Sequence, residues 1–194
     1  MVNLLTVNQA DGGEDGTTVG FGLYTTYDTP DTSNNATIAS SMAAAWQGTH
    51  SIQIAGNDNI TFVNFGTLPC PIVAPYVYTF SLYWLNTDIV SASVSSLYLV
   101  DNNGVVHNTF NIPGNMTPNV WTRAIVSTNP LLTPTAIQPI LVCGVQTGGG
   151  KIYVDGLQLE VGSTATPWSL PPQAPAMPFG VFINDTIIKT KVNV

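Results

Sequence analysis

Residues 76–85 read YVYTFSLYWL, and a period of two runs through them without a break. One face of a strand would carry Tyr76, Tyr78, Phe80, Leu82 and Trp84, while the other carries Val77, Thr79, Ser81, Tyr83 and Leu85. An aromatic face backed by a mixed one is the pattern of a central strand in a two-layer β structure. Downstream, 91–100 (SASVSSLYLV) is rich in β formers and stops at Asp101-Asn102-Asn103-Gly104, where Asn-Gly tolerates positive φ and turns the chain into VVHNTFNI. Further strands are predicted at 19–26, 50–56, 60–65, 119–127, 137–146 and 151–161, separated by turn residues such as Pro113-Gly114, Pro118, Pro130, Pro134 and Gly148 to Gly150.

Only 36–47, ATIASSMAAAWQ, tempts a helical reading, because alanine favours helix. A strand leading to Trp46, or one short helical turn, fits the surrounding period better. In 151–161, KIYVDGLQLEV, the unbroken alternation would set Tyr153, Asp155, Leu157 and Leu159 against Ile152, Val154, Gln158 and Glu160. Both faces are then mixed, so a bulge at Gly156 that changes register is expected. With about ten strands and no alternating long helices, the predicted fold is all-β: an antiparallel β-sandwich of jelly-roll type over residues 1–168.

The chain has 194 residues, 44% of them hydrophobic and only 8% charged. Folding would take roughly 21,000 Å² out of water, enough for a core without metal or disulfide support. Four basic residues against eleven acidic ones give a formal charge of -7, and no basic stretch could hold a phosphate backbone, which argues against nucleic acid. No apolar run is long enough to cross a bilayer and the start lacks a basic n-region, so neither a membrane nor an ordinary signal peptide is expected. Cys70 and Cys143 form no zinc motif; a disulfide and two buried thiols are equally compatible with the sequence. Four Asn-x-Ser/Thr sequons, at Asn35, Asn59, Asn115 and Asn184, are no more than so Asn- and Thr-rich a chain produces by chance.

After Trp168 the composition changes. Pro171, Pro172, Pro175 and Pro178 make a semi-rigid extended spacer, and beyond it FGVFINDTIIKTKVNV reads as a short hairpin. Residues 169–194 are therefore expected to form an arm whose Phe179, Val181, Phe182, Ile183, Ile187 and Ile188 pack on the sandwich or on a neighbouring subunit.

Catalysis needs a nucleophile with a base, an acid pair or a metal cluster. His50 and His107 are separated by several strands, Glu14 and Glu160 are the only glutamates, and no motif selects a catalytic pair; no enzyme is expected. The loop NQADGGEDGTT offers Asp11, Glu14 and Asp15 as oxygen donors. It can be simply solvated, or it can hold a structural Ca²⁺ shared with Asp155; the fold requires no other cofactor. Trp46 and Trp121 lie near predicted strand ends and are candidates for stacking on sugar rings, whereas Trp84 reads as core and Trp168 as a closing residue at the edge of the sandwich.

The stretch 150–168, GKIYVDGLQLEVGSTATPW, carries a "YVDxxQLExGxxATPW" pattern. Together with Asn3-Leu4-Leu5, Trp46-Gln47-Gly48, the strand from Tyr78 to Tyr83, and Trp121-Thr122-Arg123, it resembles the carbohydrate-binding-module-like jelly rolls that recur in tailed-phage structural proteins. The resemblance implies a non-enzymatic virion structural protein, most concretely a capsid decoration or minor head protein on the outer surface of the head, contacting the major capsid protein or another virion protein and forming a homo-oligomer such as a trimer. It also implies, as alternatives, a carbohydrate-binding module or a tail-fibre component that contacts surface glycans. In the enzyme-linked relatives a calcium ion joins the N-terminal region to an Asp of the closing strand, which here is Asp155.

Overall fold

The computed structural model describes residues 3–5, 10, 14, 25–28, 37–56, 60–65, 68–70, 76–88, 92–101, 103–112, 117–131, 135–145 and 149–170. The strands are β1 (Thr25–Asp28), β2 (Thr37–Ser41), β3 (Ser51–Ala55), β4 (Ile60–Asn64), β5 (Leu68–Cys70), β6 (Tyr78–Asn86), β7 (Ala92–Asp101), β8 (Val106–Asn111), β9 (Thr122–Ser127), β10 (Thr135–Val145) and β11 (Lys151–Val161). They form two antiparallel sheets. One runs β1-β4-β10-β7-β8 with β5 also on β10, and the other runs β2-β3-β11-β6-β9. The molecule is thus an all-β, two-sheet sandwich of jelly-roll type.

The sheets meet through the faces that the alternation selects. From β6, Tyr78, Phe80, Leu82 and Trp84 are buried together with Ile52 and Ile54 of β3 and Ile152, Val154, Leu157 and Leu159 of β11. The opposite sheet contributes Val63, Leu97, Leu99, Ile137, Leu141 and Cys143. Each of these large side chains stabilises the fold by about 1.5–3 kcal/mol through its removal from water. Phe65 and Phe80 make a tilted aromatic contact across the core at 5.9 Å between ring centroids.

Residues 37–41 form strand β2 rather than a helix, because Ile38 and Ser40 lie opposite Ile54 and Ile52 on the core side of β3. Gly104 closes the β7–β8 hairpin at φ 79°. Its amide donates to the Asp101 carbonyl at 3.0 Å, while the Asp101 carboxylate accepts the amides of Asn103 and Val105 at 2.8 and 2.9 Å. The short β5 was not expected from the sequence, because Pro69 interrupts it. The ladders also decide the cysteine question: Cys70 lies opposite Thr135 and Cys143 opposite Thr61, eight residues further along β10. That is about 26 Å of strand, beyond the reach of a disulfide.

In β11 the register shifts between Asp155 and Gln158, with Gly156 at φ 57°. The bulge returns Leu157 and Leu159 to the core and leaves Tyr153, Asp155, Gln158 and Glu160 on the outward side, as the mixed pattern predicted.

Candidate functional site

The two outward faces of the sandwich are built differently. On the β11 side, Asp155, Gln158 and Glu160 are polar and point away from the core, yet all three are fully buried. Burial without partners would cost several kcal/mol per charged group, so the chain folds back over them. Residues 46–50 cross above Asp155, whose Oδ2 accepts the amides of Trp46 and Gln47 at 2.8 and 3.0 Å and whose Oδ1 accepts that of Gly156 at 2.6 Å. The same five residues serve Glu14, whose Oε1 accepts the amides of Thr49 (2.7 Å) and His50 (2.9 Å). Gly48, at φ 64°, stands between them, and a Cβ there would overlap the Glu14 carboxylate.

Burial raises the Asp155 carboxyl to about 6; the three amides oppose the rise and the charge of Glu14 adds to it. Burial would raise Glu14 too, but the His50 and Thr49 bonds outweigh it and leave that carboxyl below its ordinary value. Two carboxylates therefore act on one another across a single loop. They are hard oxygen donors of the kind a Ca²⁺ ion takes, and a cation between them would relieve the repulsion that Asp155 feels. Among the described residues no group of three or more His, Cys, Asp or Glu side chains is placed to hold a metal ion, although His50 Nδ1 lies 3.9 Å from Glu14 Oε2; Asp11 and Asp15 lie outside the described residues.

The closing turn covers the rest of this face. Thr166 Oγ1 donates to Glu160 Oε1 at 2.5 Å and accepts from Gln158 Nε2 at 3.2 Å, and the Thr166 amide donates to Glu160 Oε2 at 3.0 Å. Arg123 of β9 donates to Ser81 Oγ (2.9 Å) and Gln158 Oε1 (3.3 Å), its guanidinium 5.5 Å from the Tyr83 ring centroid. Trp46 stacks on Tyr83 with centroids 3.6 Å apart and 11° between planes, and meets Trp168 edge-on at 5.5 Å. Asn3 ties the N-terminal end to the same strand, donating to the Leu157 carbonyl and accepting from the Leu159 amide. Of the two expected sugar-stacking residues, Trp46 thus lies within this seal, and Trp121 sits half-buried just before β9. The six apolar residues of the arm, Phe179 to Ile188, lie outside the described residues.

The outward face of the other sheet is different. Across its strands, Phe62, Val142, Ser96 and Asn111 stand in one row. Asn64, Ile140, Tyr98 and Thr109 stand in the next. Each of these residues alternates with core residues on its own strand, and the backbone register sets Tyr27 of β1 opposite Phe62. Phe62 and Tyr98 are half-buried; Ile140, opposite Tyr98, is 4% exposed and outside the core cluster. Asn64 Nδ2 donates to Gln138 Oε1 at 3.4 Å. Aromatic rings beside amide side chains on a sheet surface are the chemical complement of a sugar, which has apolar C–H faces and hydroxyl edges.

No protein-family model matches the chain and none of the curated proteins does. Solved structures do. The TmCBM61 structure in complex with β-1,4-galactotriose superposes with a TM-score of 0.58 at 13% identity, covering 82% of this chain and 99% of that one. The Stig cyclase Fisc from Fischerella sp. TAU matches with a TM-score of 0.59 at 13% identity, over 84% of this chain and 99% of that one. The enzymatically active domain of tailspike protein 4 from bacteriophage CBA120 matches with a TM-score of 0.55 at 12% identity, over 82% of this chain but 21% of that one. The chain has a carbohydrate-binding-module-like β-sandwich fold. At these identities the likeness is one of fold alone, since sandwiches of this kind appear in proteins of different activity.

Sequence reading found the carboxylates and the bulge but missed the outward row on β4, β10 and β7. Its signal was present as the alternation of Phe62 and Asn64 with Val63 and Phe65. No single-strand motif marks it, because the row exists only once three distant strands are paired.

Proposed function

We propose that this protein is a non-enzymatic carbohydrate-binding module whose ligand lies across the outward face of β4, β10 and β7. The observation that carries the reading is the residue set of that face: Phe62 and Tyr98 in adjacent rows, diagonally across β10, with the Asn64–Gln138 amide pair alongside. The carbohydrate-binding-module-like fold supports it. Replacing Tyr98 or Phe62 with Ala is expected to weaken retardation by soluble polysaccharides in affinity electrophoresis while the melting temperature moves little, because both side chains lie outside the core cluster. Wild-type retardation by no polysaccharide, or equal retardation of both variants, would refute the reading.

We also propose that Glu14 and Asp155 hold a structural Ca²⁺ ion, with Asp11 and Asp15 as further candidate ligands. Support comes from the 46–50 crossing that the two carboxylates share, the Trp46 and Gln47 amides donating to Asp155 and the Thr49 and His50 amides to Glu14. The ion would supply charge neutralisation and stability to the 46–50 crossing, and no chemistry. Display on the outer surface of a phage head, with the 169–194 arm gripping a capsid protein or a sister subunit, remains the companion proposal for where such a module would work; it rests on the resemblance of 150–168. Native mass measurement of the full chain, alone and with capsid protein, tests it.

A further inference from the structure

The edge strand β8 leaves backbone groups open, and its neighbours show which ones. The Pro139 carbonyl accepts the Phe65 amide at 3.0 Å and so points towards β4, which turns Leu99, opposite Pro139, towards β8. At the far end the Ile112 amide donates to the Ser95 carbonyl at 3.0 Å. Bonded and non-bonded pairs alternate along an antiparallel ladder. Asn108 and Phe110 are therefore bonded to Leu99 and Leu97, while the peptide groups of Thr109 and Asn111 face away from the sheet. The Thr109 amide donates to Asn108 Oδ1 at 3.0 Å, and the Asn111 amide has no partner among the described residues. Open edges are usually blunted by Lys, Pro or a bulge. β8 contains no Lys, Arg, Asp, Glu or Pro, and its register shift lies ahead of Asn108. Apolar surface surrounds it: Val105 and Val106 at its start, with Val120 and Ile125 before and on the adjoining β9, are half of the eight large hydrophobic residues exposed among the described residues.

The end of the chain fits this edge, and the inference rests on the companion proposal above that the 169–194 arm grips a sister subunit. The last described residues are fixed over the middle of β11, Trp168 Nε1 donating to the Leu157 carbonyl at 3.3 Å and Asn3 Nδ2 to that of Ser169 at 3.2 Å. From there either edge of the sheet is two strand spacings away, about 10 Å, and the start of β11 is about 20 Å away. Residues 171–179, four of them proline, span about 28 Å as a semi-rigid extended spacer. A spacer of that length and stiffness carries Phe179 clear of its own sandwich. Charge favours the arm over a direct contact between two bodies: residues 1–170 hold ten acidic and two basic side chains, whereas 171–194 hold Asp185 against Lys189 and Lys191. The arm thus brings net positive charge to a body of the opposite sign. In 179–183, FGVFI, Phe179, Val181 and Ile183 alternate with Gly180 and Phe182, an uncharged strand pattern that would extend the apolar side of Phe110. We propose that residues 179–183 of one copy add as a strand to β8 of a sister copy, bonding to the open peptide groups of Thr109 and Asn111.

The experiment follows amide hydrogen exchange by NMR and molecular mass by sedimentation, both on the full chain over a concentration series, and repeats them with Val181→Pro and Thr109→Pro. Proline at 181 removes a ladder donor from the arm, outside the strands of the sandwich; proline at 109 removes an amide that β7 does not use. The expected result is an oligomer in which Asn111 exchanges at least about tenfold more slowly than its intrinsic rate, with protection growing as concentration rises. Either substitution should return the mass to that of a monomer and Asn111 to near its intrinsic rate, while Phe110 and Ile112, bonded to β7, stay protected. Asn111 protected in a monomer would place the arm on its own β8 and overturn the sister-copy arrangement. An oligomer with Asn111 unprotected, or with protection unchanged in Val181→Pro, would overturn β8 as the site of the arm and leave the gripping arm standing. A monomer with Asn111 unprotected would overturn this inference and the sister-subunit grip together.

Discussion

Gly156→Ala should destabilise the protein by about 3 kcal/mol, and the structure supplies the terms. Gly156 sits at φ 57°, a region that costs a residue with a Cβ about 1–2 kcal/mol. The new methyl would stand 2.9 and 3.0 Å from Cε3 and Cζ3 of Trp46 and 3.1 Å from Cδ2 of Tyr83. Carbon atoms prefer about 3.5–4.0 Å, so the stacked rings must withdraw by about half an ångström or more. Overpacking of that kind costs about 1–3 kcal/mol. Reduced freedom of the unfolded chain returns only about 0.4–1 kcal/mol.

For a chain of this size the loss corresponds to a melting temperature lower by about 6–12 °C. The assay is urea unfolding followed by tryptophan fluorescence, with the same substitution made in a Trp46→Ala background. If the rings carry their share, the penalty in that background should fall by about half. A wild-type-like midpoint for Gly156→Ala would refute the bulge argument, and an unchanged penalty without Trp46 would refute the contact argument.

Thr166→Val removes the hydroxyl shared by Gln158 and Glu160 and leaves a fully buried carboxylate with one fewer donor; a loss of about 2–4 kcal/mol in urea unfolding is expected, with Thr166→Ser close to wild type. Millimolar Ca²⁺ should raise the melting temperature of chelator-treated protein, and Glu14→Gln, which keeps an acceptor oxygen but removes the charge, should abolish most of that gain; equal gains in both proteins would remove the ion from this site. Asp101 is held below its ordinary value, first by the Val105 amide and then by that of Asn103 and the neighbouring His107. Its contribution is therefore present above the unfolded value of 3.8 and lost as pH falls through the lower folded one. Hydrogen-exchange protection at the β7–β8 hairpin, taken relative to the intrinsic rate at each pH, should fall on acidification in the wild type and be low throughout in Asp101→Asn.

The fold was legible where one strand contains its own evidence. The alternation in 76–85 names the core face of β6 outright, and the two mixed faces of 151–161 require a bulge that Gly156 can provide. Asp155 could be singled out as the closing-strand carboxylate that a Ca²⁺ ion would tie to the acidic N-terminal loop. What it meets could not be read, because two of its three amide partners, Trp46 and Gln47, sit more than a hundred residues away on a segment that looks like a loop. Trp46 illustrates the same limit: an aromatic residue near a strand end is compatible with sugar stacking or with packing, and its stack on Tyr83 and edge contact with Trp168 could not be read from the sequence. The placing of Phe62 and Tyr98 on one outward face is the extreme case, since they belong to strands that are remote in sequence and meet only through β10.

A chain with so few charges must decide where to spend them, and among the described residues both fully buried ones, Asp155 and Glu160, lie on one side, while Asp28 and Asp101 belong to the other sheet. Glu14, Asp155, Glu160 and Arg123 all gather on the outward side of the β11 sheet, where each is bonded to the 46–50 crossing, the closing turn or a neighbouring strand. Their burial is tolerable only because those segments supply donors, so this face is committed to holding the fold together. The opposite face keeps its neutral row at no such cost: hydroxyls, amides and half-buried rings need no counter-ion. On the proposed reading, the other sheet would meet its ligand with hydrogen bonds and apolar surface, the interactions that suit the hydroxyl edges and C–H faces of a sugar.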